Sequence, residues 1–332
     1  MVVDFPERVV HGGTGKRQRE KTRKKLLDFS ASVNPLPPSF VWSCDPSCLS
    51  QYPDNDYTLL KETIARTFHC NQDEVCVGNG SMELIRVFCS VMLGSSGRYF
   101  TEFPTFGEYS LSARLTGAAA AALCDDADVS FVCNPNNPTG VLRGRDDLLS
   151  HVKEMAFHSG MVFLDEAFIE LADPSQSLAG FSDRNLFVLR SLTKSFAVPG
   201  IRFGYGFGNP DIIDKMETAR PPWSVNAYAE AFALEAFRHM DALEDSRAYI
   251  RKEREWLASG VDACGLHCYP SSTNYLLVEY GQDVSPLCAK LEHAGVLVRD
   301  CTSFGLPTSI RIAVRTRGEN KALVEALFTC VH

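Results

Sequence analysis

One lysine stands among hydroxyl-bearing and small residues in a stretch that reads SLTKSFAVPGIRFGYG, from Ser191 to Gly206. The lysine is Lys194, and Arg202 follows it eight positions later. A lysine amine becomes a useful nucleophile only when its pKa is lowered or a covalent adduct holds it. Hydroxyls and an arginine close by suit a phosphate group on the same ligand. A lysine imine beside a phosphate monoester describes pyridoxal phosphate (PLP), although a surface lysine in a polar loop would have the same local sequence.

Two more motifs, each at the end of an apolar stretch, favour the PLP interpretation. The apolar residues before Asp165 predict a strand that ends in a carboxylate, and the loop from Cys133 to Gly140, CNPNNPTG, follows another apolar strand. In an open α/β sheet, ligands bind at the carboxyl ends of the strands. PLP needs a carboxylate against its pyridine nitrogen, because the protonated ring is the electron sink. An asparagine in the loop can donate to its phenolic oxygen, so each motif supplies a different contact.

With these motifs the chain resembles the class I and II aminotransferases of PLP fold type I over nearly its whole length. The resemblance rests on the patterns NPxNPTG, DEA and SxTKxxxxxGxR. It implies that Lys194 forms the imine with PLP and that Asp165 pairs with the pyridine nitrogen. It also implies that Asn137, just before Pro-Thr-Gly, contacts the phenolic oxygen.

The same resemblance implies further cofactor contacts. Ser191, Thr193 and Arg202 are the expected phosphate ligands, together with the backbone of Ser81 and Met82, at the start of a predicted helix. Small residues at a helix N-terminus expose N–H groups that suit a phosphate.

Two aromatic residues complete the expected cofactor site. Phe106 stands where the family stacks an aromatic side chain on the PLP ring, with a core aromatic as the alternative. Tyr52 stands where a tyrosine before proline reaches the PLP phosphate of the partner subunit in a homodimer. A local turn residue is the alternative for Tyr52.

Strands that alternate with helices between residues 70 and 210 predict an α/β fold with a mostly parallel, helix-covered sheet. Predicted strands include Arg98–Thr101, Ala118–Leu123 and Met161–Leu164. The Pro-Pro pair at Pro221 predicts a domain boundary. We predict an N-terminal arm that packs with the small domain (1–35), a large PLP-binding domain (36–222), and linker helices with a small α+β domain (223–332).

Composition excludes several classes of protein. The chain has 332 residues, a net charge of −8 and a pI near 5.5, which argues against a nucleic-acid partner. It has no apolar run of about 18 residues, and its N-terminus lacks a signal-peptide pattern, so we expect a cytoplasmic protein without a membrane partner. The twelve cysteines lack zinc-ligand spacing, which predicts reduced thiols and no metal. We interpret the basic run at residues 16–25 as a solvated loop or helix rather than an anion- or RNA-binding element.

The substrate end is predicted from four residues. Arg311 matches the family's carboxylate-binding arginine, and its planar fork suits a bidentate pair. Two subfamilies are similar: histidinol-phosphate aminotransferases and the threonine-phosphate decarboxylases of cobalamin synthesis. Both substrates carry a phosphate monoester. The opening HGG at residues 11–13, the stretch at residues 28–36 and VRDC at residues 298–301 look like the decarboxylases, and this resemblance makes His11, Asn34 and Arg299 the candidates for binding that phosphate. An ordinary surface histidine is the alternative for His11.

Phe168 favours the decarboxylase. Aminotransferases of this group usually read DEAY at this point, and the phenol bonds to the phenolic oxygen of PLP, whereas Phe168 cannot donate that bond. We therefore expect decarboxylation of threonine phosphate or a close phospho-amino acid. The alternative is a histidinol-phosphate aminotransferase that uses 2-oxoglutarate. A non-catalytic PLP-binding regulator is a remote alternative, since no separate DNA-binding module fits before residue 30.

Overall fold

The computed structural model describes residues 5–13 and 26–332, so the basic run at residues 16–25 lies outside the described residues. Within those described ranges, no helix combines the length and the apolar character needed to cross a membrane. All twelve cysteines fall in the described part of the chain, and all are free thiols. Cys76 and Cys89 are buried in the core, as expected for small apolar side chains.

The strands follow the apolar stretches of the sequence. They are β1 (Leu27–Asp28), β2 (Val75–Gly78), β3 (Arg98–Thr101), β4 (Ala119–Ala120), β5 (Val129–Cys133), β6 (Met161–Asp165), β7 (Leu186–Arg190), β8 (Gly204–Gly208), β9 (His267–Cys268), β10 (Tyr275–Glu279), β11 (Val296–Leu297), β12 (Arg299–Asp300) and β13 (Ser309–Ala313). The strand predicted at Ala118–Leu123 was wrong in length, because only the two residues of β4 pair with β3 before a turn begins at Cys124.

The α-helices are α1 (Thr58–Phe68), α2 (Ser81–Met92), α3 (Glu108–Leu115), α4 (Arg145–Phe157), α5 (Leu192–Ser195), α6 (Pro210–Ala219), α7 (Ala227–Ala236), α8 (Leu243–Asp262), α9 (Ser285–His293) and α10 (Arg317–Val331). Short 3₁₀ turns lie at Pro46–Ser50, Gln72–Glu74, Cys124–Asp126, Ile169–Leu171, Pro174–Gln176, Phe237–Ala242 and Thr302–Phe304. In α1, Leu60 and Ile64 lie at helical spacing on one face and are buried, whereas Leu59 is exposed.

The large sheet has the strand order β2-β8-β7-β6-β5-β3-β4. Neighbouring strands are parallel except β8, which is antiparallel to both β7 and β2. Strands β6 and β7 are buried along their whole length, which is typical of a parallel sheet covered by helices on both faces. The prediction of a mostly parallel, helix-covered sheet is confirmed.

Three strand ends meet at one edge of this sheet. Cys133 of β5 is in register with Asp165 of β6, and Asp165 is in register with Leu189 of β7. The loop after β5, the carboxylate that ends β6 and the helix α5 after β7 therefore lie side by side. This register brings together the three motifs that the sequence places far apart.

The C-terminal part has its own sheet and core. Its sheet has the order β12-β13-β10-β9, with antiparallel neighbours. Strand β1, near the N-terminus, pairs in parallel with β11, and Phe29 is buried in the same apolar cluster as Leu257 of α8 and Ile312 of β13. Residues 27–29, shortly after the basic run, thus pack with the C-terminal sheet and its core.

Candidate active site

Lys194 lies in the short helix α5, immediately beyond the end of β7. Ser191 caps this turn, because its Oγ accepts the backbone N–H of Thr193 at 3.3 Å. The hydroxyl oxygens of Ser191 and Thr193 are 2.9 Å apart, and both residues are buried. The cap places both hydroxyls beside the lysine, as the motif predicts.

The environment of Lys194 favours a neutral amine. Burial lowers the pKa of Lys194 from 10.5 to about 8, and the positive charges of Arg311 and Arg202 act in the same direction. The carboxylate of Asp165 acts against them. A lysine with this pKa has an appreciable neutral fraction near neutral pH, which attack on a carbonyl carbon requires.

Asp165 ends β6 and is buried. Its Oδ2 accepts the hydroxyl of Tyr109 at 2.6 Å, and its Oδ1 accepts the backbone N–H of Ala167 at 2.9 Å. Burial raises the pKa of Asp165, while these two hydrogen bonds and the charge of Lys194 lower it. The carboxylate thus has two fixed donors on one side.

Asn137, in the loop after β5, and Arg311, in β13 of the C-terminal sheet, come together. The Nη1 of Arg311 donates to the Oδ1 of Asn137, and both side chains are buried. Because this bond engages the amide oxygen, the Nδ2 of Asn137 is left as a donor. That orientation suits an oxygen acceptor, such as the phenolic oxygen that the sequence predicts as its partner.

Arg311 retains an unused donor. Its Nη2 donates to the carbonyl oxygen of Ser30 at 3.0 Å, and its guanidinium carbon lies 5.1 Å from the centre of the Tyr275 ring. Its Nε is buried and has no hydrogen-bond partner in the described chain. Buried polar groups are rarely left unpaired, so this donor is available for a ligand carboxylate.

Arg202 and the backbone of Ser81 and Met82, three of the predicted phosphate ligands, meet at the N-terminus of α2. Gly80 precedes the helix with a φ of 78°. A Cβ at Gly80 would lie 2.3 Å from an Nη of Arg202, so the guanidinium lies directly against this turn. The backbone N–H groups of Ser81 and Met82 belong to the first helical turn, where no intrahelical acceptor exists. The arginine and the helix N-terminus together form a positively charged cradle for an anion.

Phe106 lies just before α3, where it contacts His11. The two ring centroids are 5.9 Å apart, and Phe106 also meets the ring of Tyr109 edge-on at 5.5 Å. The Nε2 of His11 lies 2.7 Å from the Oε1 of Glu108, whose Oε2 accepts from Arg86 at 2.9 Å. His11 is therefore part of a charged cluster rather than an isolated surface histidine.

The described N-terminal segment, residues 5–13, is also tied to Arg299. The Nη2 of Arg299 donates to the carbonyl oxygen of Val10 at 2.7 Å and to the Oγ of Ser303 at 2.6 Å. A Cβ at Gly107 would lie 3.3 Å from a methyl group of Val9, so the segment lies against the start of α3. Arg299 of the C-terminal domain and Glu108 of the large domain thus hold the same segment.

Asn34 has hydrogen-bond partners within the chain for its whole side-chain amide. Its Nδ2 donates to the carbonyl oxygen of Ser195 at 2.7 Å and to the Oγ of Ser246 at 2.9 Å. Its Oδ1 accepts the backbone N–H of Leu36 at 2.9 Å. Both amide hydrogens of Asn34 therefore have partners among the described residues, and Asn34 fixes its own segment against the helix that carries Lys194. The contact of Asn34 with a substrate phosphate that the sequence predicts stays a prediction.

Comparison with known proteins gives these contacts a family. Residues 44–327 match the family model described as aminotransferase class I and II. The chain belongs to this family. Enzymes of the family depend on PLP, and the chain is therefore a PLP-dependent enzyme of class I and II.

Two curated relatives and one solved structure illustrate the similarity of this aminotransferase-family chain. It is 33% identical over 325 residues to a putative threonine-phosphate decarboxylase of Caldanaerobacter subterraneus subsp. tengcongensis, covering 90% of this chain and 88% of the relative. It is 32% identical over 332 residues to a histidinol-phosphate aminotransferase of Symbiobacterium thermophilum, covering 93% and 92%. A histidinol-phosphate aminotransferase of Sinorhizobium meliloti in complex with pyridoxal-5'-phosphate shares the fold, with a TM-score of 0.84 and 18% identity. The match covers 99% of this chain and 95% of that structure.

The residues of this aminotransferase-family enzyme fit PLP. The cradle formed by Arg202 and the start of α2 suits its phosphate, and the free Nδ2 of Asn137 suits its phenolic oxygen. Asp165 offers a buried carboxylate to the ring nitrogen, and Lys194 offers an amine of lowered pKa to the aldehyde. When bound, PLP supplies the electron sink for cleavage of a bond at the substrate Cα.

Tyr52 lies apart from this cluster in the single chain. Its side chain is 79% exposed, and its ring stacks on Trp223 with 4.4 Å between centroids. An exposed aromatic pair is unusual on the surface of a monomer. The contact with a partner subunit that the sequence predicts for Tyr52 stays a prediction.

Sequence reasoning missed three side chains that shape the site. Tyr109 donates a hydrogen bond to Asp165, and Glu108 is hydrogen-bonded to His11. The ring of Tyr275 lies against the guanidinium of Arg311. One signal was available, because Tyr109 stands three positions after Phe106, close to the predicted start of a helix. The partners of Glu108 and Tyr275 have no signal in the local sequence.

Proposed function

We propose that this enzyme decarboxylates O-phosphothreonine or a closely related phospho-amino acid, releasing CO2 and leaving an amino-alcohol phosphate. The observation that carries the proposal is Phe168, three residues beyond the end of β6, which offers no phenol to the cofactor. Lys194 Nζ lies 5.8 Å from the centre of the Phe168 ring, so this apolar ring borders the reacting lysine. The proposal further requires one anchor for the substrate carboxylate and a separate anchor for its phosphate.

Arg311 is the proposed carboxylate anchor. It is buried, its Nε has no partner within the described residues, and Asn137 and Ser30 hold its other two nitrogens. A guanidinium fixed on two sides loses little freedom when it binds an anion, which favours a defined orientation of the substrate. The bond that breaks must stand perpendicular to the PLP ring, so the carboxylate anchor decides which bond that is.

Arg299 and His11 are the proposed phosphate anchor. Arg299 fixes the backbone at Val10, and Glu108 holds the neighbouring His11 through its Nε2. With Nε2 engaged by Glu108, Nδ1 is the ring nitrogen left for a phosphate oxygen, to which it donates when the ring carries both protons. Glu108 is itself 4% exposed and accepts a hydrogen bond from Arg86, so its carboxylate holds the His11 ring from one fixed position.

Lys194 is the proposed proton donor after CO2 leaves. Its amine would deliver a proton to the substrate Cα as general acid. In a transaminase the same amine would move the proton between Cα and C4′ of the cofactor. The two reactions therefore use the same residues and differ in which substituent of Cα the anchors turn out of the ring plane.

Histidinol-phosphate transamination is the second candidate, and the names of the relatives favour it. Histidinol-phosphate aminotransferases recur among the curated relatives at 28–32% identity. The second substrate of such an enzyme, 2-oxoglutarate, carries two carboxylates. Two cationic anchors suit that substrate as well as a phospho-amino acid, so the anchors alone do not choose between the reactions.

The deciding assay supplies threonine phosphate to the PLP-loaded enzyme without any 2-oxo acid. Sustained CO2 release over many turnovers supports decarboxylation. A parallel assay supplies histidinol phosphate with 2-oxoglutarate. Turnover only in that second assay, with glutamate as product, overturns the proposal in favour of the aminotransferase.

We also propose a homodimer with shared active sites, in which Tyr52 reaches the PLP phosphate of the partner subunit. The exposed stack of Tyr52 on Trp223 supports this proposal. Light scattering should give twice the chain mass. A fully active monomer would rule the shared site out.

A further inference from the structure

We propose that Tyr109 is a positioning residue for the cofactor ring: its hydroxyl holds Asp165 in place and thereby keeps the proton on the pyridine nitrogen of PLP. The inference concerns a residue outside the lysine, DEA and NPxNPTG motifs. It rests on PLP binding by this family and does not depend on which substrate the enzyme uses.

The hydroxyl of Tyr109 contacts the carboxylate that would pair with the ring nitrogen of PLP. Its Oη lies 2.6 Å from the Oδ2 of Asp165, a distance typical of a strong hydrogen bond to an ionised acceptor. Together with the N–H of Ala167 on Oδ1, it fixes both carboxylate oxygens. A carboxylate held at both oxygens presents its remaining lone pairs in one direction.

The ring of Tyr109 is rigidly placed. It is fully buried, stacks on Phe131 with centroids 5.4 Å apart and a 9° interplanar angle, and meets Phe106 edge-on. Phe163 packs against it as well. Such packing on three aromatic rings leaves the hydroxyl little choice of position, so the hydrogen bond to Asp165 costs little side-chain entropy when it forms.

Charge determines the direction of the bond. Burial and the negative charge of Asp165 raise the pKa of Tyr109 well above its usual value, so Tyr109 keeps its hydrogen and acts as the donor. Burial alone would push Asp165 toward its protonated form, and the Tyr109 hydroxyl opposes this. An anionic Asp165 is a weaker base when donors surround it, and the shared proton then stays on the ring nitrogen.

The test removes this hydroxyl and reads the ring nitrogen directly. The holoenzyme is loaded with PLP labelled with ¹⁵N in the ring, and the ¹⁵N chemical shift is measured for the wild type, Tyr109→Phe and Tyr99→Phe. Tyr99 is a matched control, because it is buried in the same aromatic cluster and contacts Phe131 but has no bond to Asp165. Tyr109→Phe should move the ¹⁵N shift toward that of an unprotonated pyridine, and Tyr99→Phe should leave it unchanged.

Two further measurements complete the test. Loss of one hydrogen bond to a charged group should weaken PLP binding by about tenfold or more in Tyr109→Phe. Replacing Tyr109 by 3-fluorotyrosine keeps its shape but strengthens the donor, and should move the ¹⁵N shift the opposite way. This second variant decides the question even if Tyr109→Phe does not fold. An unchanged shift in the fluorinated enzyme, or in a folded Tyr109→Phe enzyme, overturns the proposal.

Discussion

The Lys194 amine nitrogen lies 5.8 Å from the centre of the Phe168 ring. Phe168 is buried and meets Tyr275 edge-on at 5.1 Å, which holds its ring beside the lysine. The hydroxyl of Tyr275 is occupied, because it donates to the carbonyl oxygen of Asn136 at 2.8 Å. The tyrosine that borders Phe168 therefore does not replace the missing phenol at this side of the site.

Phe168→Tyr should lower the pKa of the lysine–PLP imine. The added phenol would donate to the phenolic oxygen of PLP and stabilise the deprotonated imine, so the deprotonated form would persist to lower pH. A pH titration of the visible absorbance band measures this pKa. Phe168→Leu is the matched control, since it adds no donor. Equal pKa values for the Tyr and Phe enzymes would contradict the role assigned to this position.

Lys194→Ala should abolish covalent attachment of PLP. Borohydride reduction followed by peptide mapping should find reduced PLP on Lys194 in the wild type and on no lysine in the variant. Activity should fall at least about a hundredfold, the lower end of the effect of a general acid–base group. The exposed Lys215 gives the control variant Lys215→Ala, which should keep both properties. Reduced PLP on another lysine of the wild type would refute the assignment.

Capture of PLP by the apoenzyme should depend on pH with a midpoint near 8. Only the neutral amine attacks the aldehyde, and the pKa of Lys194 is lowered to about 8 by burial and by Arg311 and Arg202. The rate constant should therefore rise about tenfold per pH unit below that pKa and level off above it. Stopped-flow absorbance measures the rate. If the rate constant continued to rise up to pH 10.5, the pKa of an unperturbed lysine, the site would not lower the pKa of Lys194.

Arg299→Ala should selectively weaken the binding of substrates that carry a phosphate. Loss of one hydrogen bond to a charged group costs about 1.5–3 kcal/mol, roughly a 10- to 150-fold increase in KM for the phosphorylated substrate. Amino acids without phosphate should be affected much less. Arg299 also bonds to Ser303, so Ser303→Ala serves as a control that keeps the charge. An equal loss for both kinds of substrate would mean that Arg299 acts only by holding the segment at Val10.

Asn34→Ala should lower stability without changing substrate preference. The substitution leaves the Ser195 carbonyl oxygen and the Leu36 N–H without their partner, at a cost of about 1–3 kcal/mol in the free energy of unfolding. Denaturant unfolding measures that cost. The ratio of kcat/KM for phosphorylated and unphosphorylated substrates should stay the same. If kcat/KM fell only for the phosphorylated substrate and the stability did not change, Asn34 would be a ligand of the substrate phosphate.

The sequence alone was sufficient for the family, the cofactor and the sheet that carries the site. Lys194, Asp165 and Asn137 each follow an apolar stretch, and parallel strands in register bring such positions to one edge. These are local patterns joined by a regular geometry, so spacing and residue type were enough to predict them. The short, irregular strand β4 was less predictable, because alanines carry little preference for a strand and only two residues pair.

Tertiary structure alone decided which side chains support the site. Asn34 bonds to residues 161 and 212 positions away, and Glu108 meets His11 across 97 positions. The bond between Arg311 and Asn137 joins β13 to the loop after β5 across 174 positions. Nothing in the local sequence specifies these pairs. A buried donor or acceptor must find a partner, and which partner is within reach depends on how the domains pack.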